Sequence, residues 1–346
     1  MPDSPEHVPV IAVASGKGGV GKTTVAVNLA LALTARGCRT GLIDADLYGP
    51  DVPRMMGLRR KTETSAVTLF ARPGAADSRI ETVSRHGVQL ASAAFLLGEN
   101  QALAIDGSIA QLLVRRLISD SAWDRLDYLV MDLPPGTADI QQFAFALSGR
   151  PLCVLVVATP QVIAHQDARR LVAHLQQRGA RREGPAIDVA GVENMSGQVC
   201  PGCGQTTPLF PPAPEPDSIW GLIPRLASIP FSYQAALDAD EGRPVMITGA
   251  VPEQVAAYQL IGRTGHGAAQ QRLTGYPASG PNLTWAAPGA PNASTRSASA
   301  VSASRSRTGP NISMVTTASS LLLLSRHIPA AKPSTSTAPG ITPLTV

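Results

Sequence analysis

One octapeptide near the N-terminus constrains the fold more than any other feature of this chain. It reads Gly-Lys-Gly-Gly-Val-Gly-Lys-Thr over residues 16–23, directly after an apolar run of strand length and directly before a helical pattern. This is the P-loop pattern in its required strand–loop–helix context. Glycines let backbone N–H groups converge on phosphate oxygens, and the helix N-terminus adds a partial positive charge. The motif therefore predicts a nucleotide-phosphate site in an α/β fold.

The residues of this loop divide the phosphate chemistry between them. Lys22 is expected to neutralise the β- and γ-phosphates, and the Thr23 hydroxyl to ligate Mg²⁺. Thr24 either contacts the α-phosphate or only caps the helix. The nucleotide-binding residues predicted in this segment are Gly16, Lys17, Gly18, Gly19, Val20, Gly21, Lys22, Thr23 and Thr24.

Apolar runs of strand length alternate with longer helical patterns as far as residue 263. This rhythm predicts a doubly wound α/β domain with a mostly parallel sheet, whose ligands bind beyond the carboxyl ends of the strands. Strands are predicted at 8–14, 40–44, 88–93, 128–132, 152–158 and 187–192, and helices at 23–36, 108–119, 140–147, 164–178, 233–239 and 251–263.

Acidic residues follow two of the predicted strands, where an open α/β sheet places its catalytic groups. Asp44 and Asp46 close the second strand, and Asp132 closes another. A carboxylate beside a triphosphate is repulsive unless it acts through Mg²⁺ or water. We therefore expect Asp132 to hold the Mg²⁺ shell and Asp46 to orient the attacking water, while Asp44 either supports the metal or caps a helix. Gly136 is expected to approach the γ-phosphate with its N–H group.

The composition changes at residue 265. From there onward Ala, Ser, Thr, Pro and Gly dominate, with six basic residues and no Asp or Glu. Such a segment buries too little apolar surface to offset the entropy lost on ordering, so 265–346 is predicted to be a disordered tail and 1–264 the folded domain. Removing those six charges from the net charge of +4 leaves 1–264 at −2, which argues against a nucleic-acid partner. A basic arm that touches acidic partners is the functional alternative for the tail.

Neither a membrane span nor a signal peptide is expected. No run approaches the roughly 18 to 20 apolar residues that cross a bilayer, and the N-terminus lacks a basic segment, so a cytoplasmic location is predicted. Four cysteines are too few to cross-link a chain of this size. Cys38 and Cys153 lie in apolar segments and are expected to be small core residues. Cys200 and Cys203 form a close pair, which is typical of a metal or redox site.

Lys17 is a second lysine within the P-loop. With it, the loop resembles the deviant Walker A class, Lys-Gly-Gly-x-Gly-Lys-Thr, of septum-site and plasmid-partition ATPases, nitrogenase iron protein and Mrp-type iron–sulfur carriers. Further segments resemble the Mrp family specifically, and the resemblance covers about residues 8–262. These segments are residues 44–50, 126–137, 158–161, 167–170, 191–196 (Gly-Val-Glu-Asn-Met-Ser), 200–204 (Cys-Pro-Gly-Cys-Gly) and 238–244.

The resemblance implies a Mg²⁺-dependent ATP hydrolase with slow basal turnover that carries an iron–sulfur cluster to apo iron–sulfur proteins. It implies that Lys17 reaches across a nucleotide-bridged homodimer; a solvated loop lysine is the alternative. It also implies that Asn194 hydrogen-bonds the adenine amino group, the alternative being a turn residue that ends a strand. The competing functions are a partition or septum-positioning ATPase, whose partners are membrane or DNA, and a nucleotide-binding homologue that holds no cluster.

The Cys200–Cys203 pair is the most diagnostic of these features. The intervening Pro-Gly permits a tight turn, so that both thiolates can face one metal. Two thiolates leave half of a tetrahedral or cluster site unfilled, and a symmetric dimer supplies the other two. A [4Fe–4S] cluster that bridges two chains is the favoured interpretation. A Zn²⁺ ion shared between chains and a redox dithiol are the alternatives, although the pair does not open a helix as thioredoxin-type pairs do.

Several positions depart from the Mrp pattern. Ala138 stands where the second switch usually has Gly, and Asp51 stands where Ser is frequent. Residues 105–108 replace a Trp-Arg-Gly-Pro segment, and residues 209–216 are Pro-rich where relatives have Gly. These departures leave the phosphate site intact. They bear on the hydrolysis rate and on how the cysteine loop responds to nucleotide.

Overall fold

The computed structural model describes residues 8–58, 79–96, 107–136, 152–181, 187–200 and 202–273. By its internal contacts the chain divides into Met1–Pro291 and Asn292–Val346, and every described residue lies in the first unit. The predicted helix at 140–147, the departure at Ala138 and the chain beyond Leu273 lie outside the described residues.

A single mixed sheet organises the described part of the chain. Its nine strands follow the order β3-β4-β2-β5-β1-β6-β7-β8, and β9 pairs with β7. All neighbours are parallel except β3, which is antiparallel to β4, and β8, which is antiparallel to β7. The predicted doubly wound, mostly parallel sheet is therefore confirmed. The strands are β1 (Val10–Ala14), β2 (Thr40–Asp44), β3 (Val83–Arg85), β4 (Val88–Ser92), β5 (Tyr128–Asp132), β6 (Leu152–Ala158), β7 (Ile187–Val199), β8 (Thr206–Thr207) and β9 (Arg225–Phe231).

Helices cover both faces of the sheet, because apolar side chains alternate between the faces of each buried strand. In β1, Ile11 and Val13 join one core cluster, while Val10, Ala12 and Ala14 join the other. The helices are α1 (Lys22–Thr34), α2 (Val52–Met55), α3 (Gly107–Ser119), α4 (Val162–Arg181), α5 (Tyr233–Asp240), α6 (Val245–Thr248) and α7 (Pro252–Leu273). The first cluster also contains residues of α1 and α7, and the second contains residues of α3 and α4.

The largest difference from the predicted strands concerns β7. It continues to Val199 instead of ending at Val192, so Asn194 lies inside a strand and not in a turn. The sequence also gave no sign of β9, which contains Pro230 and polar side chains. Proline is tolerated there because β9 pairs with β7 alone among the described strands.

The last helix runs past the predicted domain boundary. It ends at Leu273, whereas the prediction stopped it at Arg263. Residues 268–273 read Ala-Ala-Gln-Gln-Arg-Leu, which are good helix formers and offset the unfavourable Gly265 and Gly267. The division into a folded domain and a tail stays a prediction. None of the described helices is long and apolar enough to span a bilayer.

Candidate functional site

The P-loop connects the end of β1 to the start of α1. Gly21 is the N-cap of α1 and adopts the left-handed conformation at φ +83°, which a side chain would strain. Gly21 has no side chain that could cap this helix, and the first turn of the helix holds no acidic residue. The first N–H groups of α1 are therefore left for an anionic ligand, as a phosphate site requires.

The predicted loop residues occupy this connection in the expected order. Residues 16–21 form the turn, and Lys22, Thr23 and Thr24 begin α1. Lys17 is half-buried and takes part in no ion pair among the described residues. Thr24 is half-buried, and its carbonyl accepts the Asn28 side-chain N–H at 2.9 Å.

Gly136 lies against the start of the P-loop. Its backbone N–H donates to the Ser15 carbonyl at 3.0 Å, so this donor already has a partner within the protein. The predicted approach of the N–H to the γ-phosphate requires that the hydrogen bond to Ser15 break and one to the phosphate form. The contact ties the segment after β5 to the phosphate loop.

Two of the predicted carboxylates, those of Asp132 and Asp46, lie close to Lys22, and Asp44 neighbours them because its strand runs parallel to β5. Asp44 at the end of β2 lies level with Asp132 at the end of β5. Lys22 Nζ is 2.9 Å from Asp132 Oδ1 and 3.9 Å from Asp46 Oδ2, and Lys22 is only 7% exposed. The lysine predicted to bind phosphate is thus paired with the predicted Mg²⁺-holding carboxylate.

Burial dominates the electrostatics of the two inner carboxylates. It raises the pKa of Asp132, against the opposing attraction of Lys22 and a hydrogen bond from the Thr23 hydroxyl. Burial, followed by the charge of Asp132, raises the pKa of Asp44 well above its ordinary value. Burial therefore makes the charged form of both carboxyl groups less favourable than that of an exposed aspartate, and Lys22 offsets part of this effect at Asp132.

Asp44 is held by a hydroxyl donor. Ser92 Oγ, which lies level with it on β4, donates to Asp44 Oδ2 at 3.0 Å. The backbone N–H of Val52, the first residue of α2, opposes the rise in the pKa of this carboxyl. The helix-capping and metal roles of Asp44 both stay predictions. Sequence reasoning missed Ser92, whose only signal was its position at the end of a predicted neighbouring strand.

Asp46 lies in the turn after β2, with 17% of its side chain exposed. Burial raises the pKa of this carboxyl, while Lys22 and the backbone N–H groups of Gly49 and Tyr48 oppose the shift. Asp46 is more accessible than Asp132, whose side chain is 1% exposed. The more accessible carboxylate is the one predicted to orient a water molecule.

The oxygen atoms at this site fit a magnesium ion. Asp44 Oδ1 and Asp132 Oδ2 are buried and have no hydrogen-bond partner among the described residues. Buried carboxylate oxygens without partners are costly, and carboxylates with a neighbouring hydroxyl are the hard donors that Mg²⁺ prefers. Thr23, which bonds Asp132, supplies that hydroxyl.

Asn194 contacts the P-loop directly. Its Nδ2 donates to the carbonyl of Val20 at 2.8 Å, and both residues are buried. No local sequence pattern indicates this contact, because the two residues are far apart in the chain and only the folded sheet brings β7 beside the loop.

The cysteine pair lies at the tip of the β7–β8 hairpin. Val199 pairs with Thr206, the Cys200 N–H donates to the Gln205 carbonyl at 2.9 Å, and the Gly204 N–H donates to the Cys200 carbonyl at 2.9 Å. Cys203 is exposed and Cys200 is half-buried. Neither residue opens a helix, in agreement with the sequence.

The hairpin directs hydrogen-bond donors at one sulfur. The backbone N–H groups of Cys203 and Gly202, followed by the thiol of Cys203, lower the pKa of Cys200. A lowered pKa favours the thiolate, which is the form that binds metals. Among the described residues, no group of three or more His, Cys, Asp or Glu side chains forms a metal site, so the pair supplies two ligands alone. Cys153 is buried in β6, and Cys38 packs half-buried against the core.

The sequence matches the ParA family, described as NUBPL iron-transfer P-loop NTPase, over residues 7–264. The chain belongs to this family. The resemblance to iron–sulfur carriers drawn from the motifs is thereby confirmed at the level of the family. The chain is a P-loop NTPase, whose class as a whole hydrolyses nucleotides.

Curated relatives carry a consistent description. The chain is 38% identical over 251 residues to the iron-sulfur cluster carrier protein of Deinococcus radiodurans, a match that covers 72% of this chain and 66% of that protein. It is 35% identical over 253 residues to the protein of the same description from Escherichia coli, covering 73% and 64%. The chain thus spans slightly less than two thirds of the length of these relatives.

Solved structures show the same fold. The nucleotide-binding protein of Archaeoglobus fulgidus in complex with ADP is 28% identical, with a TM-score of 0.53 over 72% of this chain and 91% of that one. The MinC:MinD cell division protein complex of Aquifex aeolicus matches at 21% identity and a TM-score of 0.52, over 78% and 97% of the respective chains. The second likeness supports the fold alone.

Proposed function

We propose that this protein is an ATP-dependent carrier that holds a [4Fe–4S] cluster transiently and delivers it to apo iron–sulfur proteins in the cytoplasm. The observation that carries the proposal is the cysteine hairpin, which presents an exposed thiol beside a thiol whose pKa is lowered by backbone donors. The description shared by the curated relatives supports the same role.

The cargo site is completed by a second copy of the chain. A [4Fe–4S] cluster takes four thiolates, and each chain offers Cys200 and Cys203. Two hairpins that meet across a two-fold axis supply the full set. In the same homodimer Lys17 reaches the nucleotide of the partner subunit, as the deviant Walker A resemblance implies.

The proposed binding and hydrolysis of ATP rest on Lys22 and the two carboxylates close to it, Asp132 and Asp46. ATP phosphates bind the first N–H groups of α1 and take Lys22 from Asp132, while Asn194 hydrogen-bonds the adenine amino group. Thr23, Asp132 and Asp44 would hold Mg²⁺, which would shield the phosphate charge. Asp46 accepts a hydrogen bond from the attacking water and orients it toward the γ-phosphate. Hydrolysis is slow, because nucleotide mainly switches the geometry of the dimer.

Anaerobic reconstitution with iron and sulfide tests the cargo. Iron and acid-labile sulfide are counted per dimer, together with visible absorbance, for the wild type and for Cys200→Ser, Cys203→Ser and Cys38→Ser. We expect about four irons and four sulfides per dimer in the wild type. The first two variants should lose the cluster and still bind ATP. Cys38→Ser, the same chemical change at a half-buried core position, should keep the cluster.

Each alternative function gives a different result in this experiment. Bound Zn²⁺ without sulfide or colour indicates the zinc site, and a reversible disulfide without metal indicates the redox dithiol. ATP binding without metal indicates a partition-type ATPase or a homologue that holds no cluster. An unchanged cluster in Cys203→Ser would show that other residues ligate it.

A further inference from the structure

We propose that Asn194 is a positioning residue of the nucleotide site. Its side-chain amide holds the Val20–Gly21 peptide of the P-loop in the orientation that phosphate binding needs. The inference rests on the proposed nucleotide binding and adds to Asn194 a role that is separate from recognition of the base.

The contact is short and enclosed. Asn194 Nδ2 donates to the Val20 carbonyl at 2.8 Å, with Asn194 7% and Val20 3% exposed. A Cβ atom placed on Gly21 would lie 2.2 Å from the same Nδ2, so the amide occupies the space beside the loop that a side chain would need. Water is largely excluded from this bond, which makes the loss of either partner costly.

The geometry of the peptide bond explains what the contact controls. The C=O and N–H of a trans peptide point in opposite directions. When Val20 directs its carbonyl toward Asn194 on β7, Gly21 must direct its N–H away from β7, the side on which we infer that the phosphates bind. Gly21 has no Cβ to oppose rotation of this peptide, and Gly19 on the other side of Val20 also has a positive φ, +78°. A rotated peptide would present its carbonyl oxygen to the phosphates and repel them.

The backbone of β7 is distorted at the point where it delivers this side chain. Met195 has φ +56°, which is uncommon for a residue with a side chain, and the register with β9 shifts between Asn194 and Gln198. Such bulges re-aim a side chain, and local strain of this kind persists where the surroundings enforce it. The irregular strand and the buried amide bond are separate observations that point to the same role.

The positioning role is compatible with recognition of the adenine base by the same side chain. An Asn side chain has one carbonyl oxygen and two N–H donors, and Val20 uses one donor. The side-chain oxygen is the atom that an adenine amino group would need. The two roles therefore differ in their atoms, and a ligand without a base separates them.

Inorganic tripolyphosphate with Mg²⁺ is that ligand. Its dissociation constant and that of ATP are measured by calorimetry for the wild type, Asn194→Ala and Gln254→Ala. Gln254 is the matched control, because its Nε2 donates to the Pro230 carbonyl at 2.8 Å and it is also 7% exposed. Thermal unfolding of each protein is followed in parallel.

We expect Asn194→Ala to weaken tripolyphosphate about tenfold, as loss of one buried hydrogen bond predicts. ATP should weaken at least as much, and Gln254→Ala should bind both ligands like the wild type at a similar loss of thermal stability. Unchanged tripolyphosphate affinity in Asn194→Ala overturns the positioning role, as does an equal loss in Gln254→Ala. A wild type that binds neither ligand overturns the proposed function itself.

A measurement on the wild type covers the case in which Asn194→Ala does not fold. In the tripolyphosphate complex, the side-chain amide protons of Asn194 should be protected from exchange with solvent, and the Gly21 amide should shift on ligand addition. Rapid exchange of the Asn194 side-chain amide in that complex contradicts the proposal.

Discussion

Lys22 Nζ lies 2.9 Å from Asp132 Oδ1, with the two side chains 7% and 1% exposed. A buried ammonium group is stable only when it is paired, and here the partner is the carboxylate predicted to hold Mg²⁺. The lysine is therefore held in place by Asp132 before any nucleotide arrives. We expect phosphates that bind Lys22 to release Asp132 at the same time, which would link the binding of nucleotide and of Mg²⁺ through this ion pair.

Replacing Lys22 with Ala should weaken ATP binding by about 100-fold or more, because a charge-assisted bond is worth up to about 3 kcal/mol. Calorimetry with Mg²⁺ and ATP measures the change. Arg116→Ala is the matched control, since Arg116 Nε lies 2.9 Å from Asp120 with its side chain 3% exposed. That variant should lose stability but bind ATP. Equal affinities for ATP in Lys22→Ala and the wild type would show that Lys22 does not bind the phosphates.

Lys17→Ala should behave differently. Lys17 is half-buried and joins none of the ion pairs of the described residues, so its replacement should leave the ATP affinity of one chain within about threefold. Hydrolysis should fall about tenfold or more if the lysine acts on the nucleotide of the partner subunit. Phosphate release as a function of protein concentration measures this. Normal turnover in Lys17→Ala contradicts the role across the dimer.

The parts of the fold that the sequence predicted well are those with strong local signals. The strands Thr40–Asp44, Tyr128–Asp132 and Leu152–Ala158 were predicted at their observed bounds, because each is a short apolar run between polar segments. The strand Ile187–Val199 was predicted to end at residue 192, with a turn at Asn194 as the alternative to its adenine role. Pairing with neighbouring strands overrides that local preference.

The site residues likewise divide into those with a local sequence signal and those without one. The P-loop glycines and the carboxylates at strand ends have positions fixed by local sequence and by a general rule for parallel sheets. The bonds from Ser92 to Asp44 and from Asn194 to Val20 have no such local signal. They depend on which strands become neighbours, and sheet order is a tertiary property that one sequence does not display.

His165 makes the stability of the fold depend on pH. It is buried, its Nδ1 accepts the Ile219 N–H at 3.1 Å, and burial lowers its pKa from the ordinary 6.5. Below pH 6.5 the His165 ring is protonated in the unfolded chain, whereas in the folded chain it stays neutral down to a lower pH. The stability that the neutral ring contributes is complete above that pH and is lost as the pH falls through the lowered pKa.

The measurement compares urea unfolding near pH 7.5 and near pH 5.5, on either side of the ordinary histidine pKa. His165→Asn should show a smaller fall in stability between these pH values, because an amide oxygen accepts the Ile219 N–H without a proton equilibrium. Buried carboxylates contribute equally to both proteins and cancel in the comparison. An identical pH dependence in the two proteins would show that His165 is not responsible.

Gly242 should be far less tolerant of a side chain than Gly249, although both have a positive φ, +75° and +65°. The backbone strain of Ala at such angles is about 1 to 2 kcal/mol and applies to both positions. A Cβ on Gly242 would also meet Gly57 Cα at 2.3 Å and the Arg54 carbonyl at 3.0 Å, whereas nothing lies within 4 Å at Gly249.

Overpacking of backbone against backbone adds about 1 to 3 kcal/mol, so Gly242→Ala should cost roughly 3 kcal/mol and Gly249→Ala about 1 kcal/mol, as urea unfolding measures. The effect should reach the nucleotide site, because Arg54 belongs to α2, and the backbone N–H of Val52 at the start of α2 stabilises the charged form of Asp44. Gly242→Ala should therefore also weaken Mg²⁺–ATP binding, while Gly249→Ala should not. Equal losses of unfolding free energy in the two variants would mean that the backbones of Gly57 and Gly242 move apart easily. Their close approach would then not position α2.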